Sequence, residues 1–355
     1  MVHLAPQLIR ILLAACLASL ALTGCVPDAP RDNPVDPLGD SESRIEGWVF
    51  SYYEPRRPVA DVAVTLLPSR QFSISDETGY VAFSNVAPGS YRLVAAGEGF
   101  APDTIAVVVG SRNEVQTGNL FLNAVPVVET VTYYSRHVDQ LIPGEVYEAY
   151  LNVTVADGDG VGDVAAVTYR IPALDYERPL SPTPTLGEYQ LRVEDTELLT
   201  LYGGNLYLLT ENHAVVEARD RVGARGRSDS LYLRRIIDEA PRLSAPAISE
   251  VTGPRPRFQW EAPRVSFDFT YALDLQRLVG GIFREYAVID AIPGAWLDTV
   301  PADSLPDGEY RWTLEIRDNL GNASRSKPFQ FIVTAGPRMD RPGATTPSFR
   351  ATPSP

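Results

Sequence analysis

Apolar and polar residues alternate in short runs along most of the chain beyond residue 44. In the segment 62–66, valine and leucine at even positions alternate with alanine and threonine. A period of two is typical of β-strands that bury one face. Glycine and proline are spread along the whole length, which disfavours long helices and favours short strands joined by turns. The pattern therefore predicts an all-β chain. The same period recurs at 91–95, 151–155, 167–171 and 267–275.

The first run of predicted strands, residues 44–123, has a specific spacing of strand and turn signals. Gly79 and Gly89 stand where tight turns need a positive φ, between runs whose inward residues can pack two sheets together. The segment resembles the carboxypeptidase regulatory-like domain. That resemblance implies a prealbumin-like or starch-binding-like β-sandwich, serving as a spacer or binding module, without the zinc ligands of the peptidase. The residues that carry it are 45–49, 62–66, 76–83 and 86–93.

An internal repeat indicates two further β-sandwiches. Residues 217–233 align with residues 315–331, and in both copies a strand ends at an aspartate, turns through a glycine three residues on, and returns as a strand. The offset of 98 residues is about the length of one immunoglobulin-like domain. We therefore expect immunoglobulin-like or fibronectin type III-like sandwiches at 124–239 and 240–336.

One segment of the last predicted domain supports this assignment. Residues 305–312 resemble the corner and penultimate strand of fibronectin type III-like domains in bacterial surface proteins. We expect Tyr310 and Trp312 to be the core anchors of that sandwich.

The N-terminal segment 1–24 has the parts of a secretory signal, and its apolar run is too short to span a bilayer permanently. Leu22, Thr23, Gly24 and Cys25 resemble the lipobox of bacterial lipoproteins. That resemblance implies cleavage before Cys25 and acylation of its thiol, which anchors the chain to membrane lipid. The alternative is an ordinary secretory signal in which Cys25 is incidental.

The residues on either side of the predicted domains suggest spacers. Proline and aspartate dominate residues 25–43, which predicts a semi-rigid tether after the lipidated cysteine. Residues 337–355 are rich in Pro, Ser, Thr and Gly and predict a disordered tail. Val26 stands where an aspartate would favour retention in the inner membrane. By this resemblance we expect an outer-membrane lipoprotein that faces the periplasm or the cell surface.

Composition narrows the function classes. A formal net charge of −14 argues against a nucleic-acid binder. The only cysteines are Cys16, inside the signal, and Cys25, so the mature chain has no second thiol for a disulfide. Its domains must therefore be stabilised by core burial alone.

Enzyme signatures are mostly absent. His137 and His213 lack the paired spacing of zinc helices, and no G-x-S-x-G elbow occurs. Ser324 and Lys327 match S-x-x-K by letters, but the match falls in a predicted hairpin instead of a helix. We therefore expect no enzymatic activity and no cofactor other than a candidate Ca²⁺ ion.

The candidate Ca²⁺ ligands are Asp157, Asp159 and Asp163, which alternate with glycines in the segment 157–163. Carboxylates on a flexible loop can supply the oxygens that Ca²⁺ prefers. The loop lacks the further Asp or Asn and the closing Glu of helix-loop-helix calcium sites. A solvated turn explains the same residues.

Two surfaces are candidates for a larger ligand. The arginines of the predicted hairpin could meet an anionic polysaccharide, although a solvated edge strand also explains them. Aromatic side chains could stack on sugars where they are exposed. The arginines are Arg219, Arg221, Arg225 and Arg227, and the aromatics are Tyr52, Tyr53, Tyr133, Tyr134 and Trp296.

Two functions from different classes fit these observations. The favoured one is a non-enzymatic, lipid-anchored envelope protein whose β-sandwiches act as spacer and interaction modules for another envelope protein. The alternative is a carbohydrate-binding lipoprotein that uses the sandwich at 44–123. A weaker option is an accessory role in export or glycan uptake.

Overall fold

The computed structural model describes residues 43–111, 114–334 and 349–351, and these are almost entirely β-strands and turns. The chain forms two compact units that divide between Leu122 and Asn123. The predicted signal, lipobox and tether, up to residue 42, lie outside the described residues. The all-β prediction is confirmed.

The first unit is a β-sandwich of seven strands over its described residues. They are β1 (Arg44–Ser51), β2 (Ala63–Leu67), β3 (Gln71–Ile74), β4 (Tyr80–Phe83), β5 (Gly89–Ala96), β6 (Asp103–Val109) and β7 (Val115–Leu122). One sheet has the order β4-β1-β7 and the other β3-β2-β5-β6. Alternate residues of β1, such as Ile45 and Val49, are buried in the core between the sheets, as the period of two predicts.

The first sheet depends on a close approach of two backbones. β1 and β7 pair in parallel, with Gly47 beside Gly118. A Cβ atom on Gly47 would lie 2.7 Å from the carbonyl oxygen of Gly118, which is too close for any side chain.

The second unit begins with a second sandwich, residues 124–236. Its elements are β8 (Val127–Val138), β9 (Val146–Ala156), β10 (Val164–Ile171), β11 (Tyr176–Pro179), β12 (Ser181–Pro182), β13 (Glu188–Glu194), α1 (Asp195–Tyr202), α2 (Leu208–Glu211), β14 (Val215–Asp220) and β15 (Arg225–Arg227). One face has the order β12-β13-β9-β8 and the other β11-β10-β14-β15. Between them lies a core that includes Leu151, Val153, Tyr169 and Val216.

The helices α1 and α2 are an exception to the predicted strand pattern. Leu198 and Leu209 are fully buried, so each helix adds a side chain to the core of the second sandwich. α1 ends at Gly203, whose φ of 67° allows its N–H to bond the carbonyl of Leu199. The abundance of proline and glycine argued only against long helices. Among the described residues, no helix is long and apolar enough to cross a membrane.

The third sandwich, residues 237–334, has its own core. Its strands are β16 (Leu243–Ala245), β17 (Glu250–Thr252), β18 (Phe258–Trp260), β19 (Phe269–Val279), β20 (Ile282–Pro293), β21 (Asp298–Pro301), β22 (Gly308–Asp318), β23 (Ala323–Arg325) and β24 (Phe329–Val333). Tyr310 and Trp312 are 0% exposed, which confirms them as core anchors. The hydroxyl of Tyr310 donates to the carbonyl of Pro306 at 2.8 Å, the arrangement of a tyrosine corner.

Three residues of the predicted disordered tail are described and form a strand. Residues Phe349–Ala351 form β25, which pairs antiparallel with β21 at Asp298–Pro301. The prediction of disorder for 337–355 is therefore wrong at these three positions, because an edge strand of the third sandwich offers backbone groups for pairing.

The second and third sandwiches share one sheet. β23 pairs in parallel with the end of β8, with Ala323 beside Arg136 and Arg325 beside Val138. This pairing joins strands of both sandwiches into a ten-stranded sheet, although the hydrophobic cores stay separate and change over between Ile236 and Ile237. The expected boundary at 239/240 therefore lies three residues after the change between the cores, and the sheet continues across it.

Candidate functional site

The acidic cluster consists of Asp157, Asp163 and Asp220. One carboxylate oxygen from each lies within 4.8 Å of the other two. Asp157 and Asp163 come from the turn between β9 and β10, where Gly160 has a φ of 109° and a short 3₁₀ turn carries Asp163 inward to 6% exposure. The structure thus brings together two of the three aspartates that the sequence suggested.

The third predicted ligand, Asp159, is used differently. Its Oδ2 accepts a hydrogen bond of 2.7 Å from the backbone N–H of Ala124, and its own N–H donates to Oδ1 of Asp157. Asp159 therefore stabilises the turn and is not part of the acidic cluster.

Asp220, at the end of β14, is the third member of the acidic cluster, and the sequence did not predict it there. It is 2% exposed, and its Oδ1 accepts hydrogen bonds from the N–H groups of Gly223 and Ala224. Its Oδ2 accepts a bond of 2.5 Å from Nδ2 of Asn123. The repeat placed an aspartate at the end of this strand, but nothing in the sequence indicated that the turn 157–163 lies beside it.

The surroundings of Asp157 disfavour the charged form of its carboxylate. Burial raises the pKa of Asp157, and the negative charges of Asp163, Asp159 and Asp220 raise it further. Among the described residues, no arginine or lysine forms an ion pair with Asp157 or Asp220.

The predicted arginine patch is partly neutralised. Arg225 and Arg227 on β15 both contact the buried carboxylate of Glu217, at 2.9 and 2.7 Å. Burial alone would raise the pKa of Glu217, but the hydrogen bond from Arg227 and the two charges lower it. Arg219 and Arg221 are exposed on the same hairpin. The hairpin is thus an internal ion-pair network with two outward arginines, instead of four charges that converge on a ligand.

Of the five aromatics suggested for sugar stacking, three contact other side chains of the second and third sandwiches. Tyr133 shares a hydrogen bond with Tyr169, Tyr134 stacks on Tyr150, and Trp296 packs against the third core. Tyr52 and Tyr53 are 42% and 37% exposed, respectively.

These two tyrosines follow an aromatic outer face on the first sandwich. Trp48 and Phe50 alternate with buried residues of β1 and so point away from the core. Trp48 lies 5.4 Å from Tyr80 on β4, and Phe50 lies 6.4 Å from Phe121 on β7, measured between ring centroids. Aromatic rings therefore span all three strands of this sheet.

Polar side chains line the place where β8 of the second sandwich pairs with β23 of the third. We call this region the joint; it includes Ser135, His137, Asn322 and Ser324. Nδ1 of His137 lies 2.9 Å from Oγ of Ser324, and the His137 ring stacks on Tyr147. The N–H of Ser135 donates to Oδ1 of Asn322 at 2.8 Å. Ser324 and Lys327, the S-x-x-K match, lie on and after the extended strand β23 and not on a helix.

Charged groups also cross the joint. Glu315 on β22 is 5% exposed and contacts Arg136 on β8 as well as Arg317 and Arg325. Asp318 pairs with Arg235 at 2.8 Å. A cavity of about 380 Å³ opens beside the joint, and its walls carry charges of both signs, so it does not favour one ionic ligand. Its charged lining comprises Asp139, Glu145, Asp238, Glu239, Arg242 and Lys327.

Comparisons with known proteins support the resemblance of the first sandwich. Residues 44–122 match the carboxypeptidase regulatory-like domain, and no curated protein sequence is significantly similar to the chain. BcpA, the major pilin subunit of Bacillus cereus, is 10% identical, with 83% of this chain and 98% of that chain covered at a TM-score of 0.29.

Two further solved structures belong to different proteins. The fibronectin(III)-like modules of Clostridium thermocellum CbhA are 13% identical, covering 62% of this chain and 100% of that one at a TM-score of 0.30. A putative carbohydrate binding protein from Bacteroides uniformis is 12% identical, covering 54% and 99% at a TM-score of 0.22. At these scores the likenesses carry no argument.

Proposed function

We propose that the chain is a lipid-anchored envelope protein whose β-sandwiches serve as spacer and interaction modules, without catalysis of their own. The lipobox sequence at Leu22–Cys25 supports the anchor, and the proline-rich segment 25–43 supports a tether that holds the folded part away from lipid. The observation that carries the spacer role is the joint between the second and third sandwiches.

A spacer has to resist bending between its modules. Here bending would break the β8–β23 pairing and would separate the Glu315 carboxylate from Arg136 on the neighbouring sandwich. It would also separate Asp318, whose side chain is fully buried, from Arg235. Since an unpaired buried charge costs several kcal/mol, about 3–5 for one removed partner, the joint favours one fixed arrangement of the two sandwiches.

The anchor is tested by labelling growing cells with a radioactive or clickable fatty acid. We expect the wild-type chain to incorporate the label and Cys25→Ser to lose it. Cys16→Ser is the matched control, because that cysteine lies in the segment to be removed and its loss should leave labelling unchanged. Equal labelling of Cys25→Ser and the wild type would contradict the anchor.

The interaction role depends on where the sandwiches are displayed. We expect an outer-membrane location, and protease treatment of intact cells distinguishes the two faces of that membrane. Digestion of the sandwiches on intact cells would indicate surface display, whereas digestion only after permeabilisation would indicate that they face the periplasm. Fractionation of the chain with the inner membrane would contradict the proposed location.

Carbohydrate binding by the first sandwich is a second candidate, favoured by its aromatic outer face. Rings of Trp48, Tyr80 and the half-exposed Tyr52 offer flat apolar surfaces on which a sugar ring can stack. Binding of the full chain to a glycan array would support this function. We expect the double variant Tyr52→Ala/Tyr53→Ala to reduce that binding. Phe72→Ala, on the opposite sheet of the same sandwich, is the control, and a blank array would contradict the candidate.

A further inference from the structure

We propose that the acidic cluster, together with Asn123, is a Ca²⁺ site of the second sandwich. The four residues come from three separate segments of the chain: the entry to β8, the turn between β9 and β10, and the end of β14. The cluster thus depends on the fold and is not a local property of the turn 157–163.

The spacing of the oxygens fits a single ion. Ca²⁺ binds oxygen ligands at about 2.3–2.6 Å, so two ligands on opposite sides of the ion are about 4.6–5.2 Å apart. The three carboxylate oxygens all lie within 4.8 Å of one another. They can therefore surround one ion, with water and backbone carbonyls completing the six to eight ligands that Ca²⁺ takes.

A buried side chain with an unused oxygen points independently to a ligand. Asn123 is 4% exposed, and its Nδ2 donates hydrogen bonds to the carboxylate of Asp220 and to the carbonyl oxygen of Ala124. Its Oδ1 is buried without a hydrogen-bond partner among the described residues, and so is Oδ2 of Asp157. A half-turn of the amide would exchange Nδ2 and Oδ1, which would present an oxygen beside both the Asp220 carboxylate and the Ala124 carbonyl. That arrangement is favourable only with a cation between the oxygens.

The third sandwich provides an internal comparison. Asp318 is the repeat equivalent of Asp220, and each caps its turn with Oδ1. Oδ2 of Asp318 is neutralised by the guanidinium of Arg235 at 2.8 Å. Around Asp220 the corresponding role falls to no described arginine or lysine, and two further carboxylates approach instead. The buried aspartate of the third sandwich, Asp318, is therefore neutralised by an arginine, whereas its equivalent Asp220 in the second sandwich can be neutralised by a bound metal ion.

The donors select the kind of ion. All of them are carboxylate or amide oxygens, which are hard ligands and favour Ca²⁺ or Mg²⁺ over ions that bind histidine and cysteine. The turn that supplies two of them contains Gly158, Gly160 and Gly162 and can adapt its geometry. A flexible site favours Ca²⁺, because Mg²⁺ requires near-ideal octahedral ligands at shorter distances.

The test measures thermal unfolding and calorimetric binding of the full chain, purified in detergent and freed of metal with a chelator. For a Kd of about 0.1 mM, 5 mM Ca²⁺ should raise the Tm of the second unit by about 5 °C, and 5 mM Mg²⁺ should raise it less. No Ca²⁺-dependent shift and no binding heat at 5 mM would overturn the proposal.

Variants assign the response to this cluster. We expect Asp157→Asn to abolish the Ca²⁺-induced Tm rise, whereas Asp175→Asn, which removes an exposed carboxylate at a distant turn, should keep it. Asn123→Asp adds a fourth carboxylate, so we expect a lower Tm without Ca²⁺ and a larger rise with Ca²⁺. An unchanged Ca²⁺ response in Asp157→Asn, or an Asn123→Asp variant that Ca²⁺ does not rescue, would overturn the assignment.

Discussion

The buried carboxylate of Glu315 makes the sharpest prediction about stability. Its oxygens lie 3.3 Å from Nη2 of Arg136, 2.5 Å from Nε of Arg317 and 3.0 Å from Nε of Arg325. Glu315→Gln keeps the size of the side chain but removes the negative charge that all three guanidinium groups share. Because Arg136 lies on β8, the substitution also weakens the link between the second and third sandwiches.

The magnitude follows from burial. Removing one partner of a buried ion pair costs about 3–5 kcal/mol. The three arginine side chains are 29–41% exposed, so water replaces part of the lost interaction and the lower end applies. We expect a loss of about 3 kcal/mol, which corresponds to a fall of about 6–12 °C in the Tm of a unit of this size.

The repeat supplies a matched control. Glu217 occupies the equivalent position in the second sandwich, but its partners Arg225 and Arg227 are 55% and 62% exposed. We expect Glu217→Gln to lower the Tm by about 2–4 °C, consistent with about 1 kcal/mol for a solvent-screened pair. Thermal unfolding followed by near-ultraviolet circular dichroism measures both variants. A Glu315→Gln loss equal to or smaller than the Glu217→Gln loss would refute the reasoning.

Three further outcomes are expected. In a denaturant titration, Gly226→Ala should lower the free energy of unfolding by about 3 kcal/mol or more, because its Cβ would lie 1.6 Å from the carbonyl oxygen of Pro126. Gly223→Ala is the control: the space around Gly223 is open and only its φ of 111° disfavours a side chain, so the loss should be about 1 kcal/mol. Burial lowers the pKa of His137 below its ordinary 6.5, so as the pH falls the unfolded chain binds a proton at a pH where folded His137 stays neutral. The wild type should therefore lose stability between pH 7 and pH 5, and His137→Gln should lose less. Identical pH profiles of the two proteins would contradict this prediction. Burial alone would raise the pKa of Glu315, but the hydrogen bond from Arg317 and the charges of the neighbouring arginines lower it. The Glu315 carboxylate therefore stabilises the fold above its ordinary pKa of about 4.3, and this stabilisation is lost in more acid solution. The Tm difference between the wild type and Glu315→Gln should shrink between pH 5 and pH 3.

The repeat is the part of the fold that could be predicted most closely from the sequence. Asp220 and Asp318 both end a strand and accept N–H groups of the following turn, and both turns have a glycine of positive φ three residues on. Tyr310 is buried as the corner motif predicted. These features are local, since a strand, a cap and a turn are encoded by neighbouring residues.

Features that depend on distant segments could not be predicted in this way. The sequence of the turn 157–163 predicted that its three alternating aspartates would act together. In the structure Asp159 instead accepts a hydrogen bond from the backbone of Ala124, and Asp220 lies beside Asp157. The parallel pairing of β23 with β8 joins residues almost two hundred positions apart, and the alternation of apolar and polar residues does not indicate which strands pair. The helix around Leu198 could not be predicted either, because what places Leu198 inside is the core of the second sandwich, which forms from distant segments.

The N-terminus of the mature protein tests the proposed function most directly. Intact-mass and peptide mass spectrometry of the chain purified from membranes would identify that residue and any group attached to it. We predict a mature chain that begins at Cys25 with a diacylglyceryl group on its sulfur. A mature chain that begins at another residue, or at Cys25 with a free thiol, would contradict the proposed function.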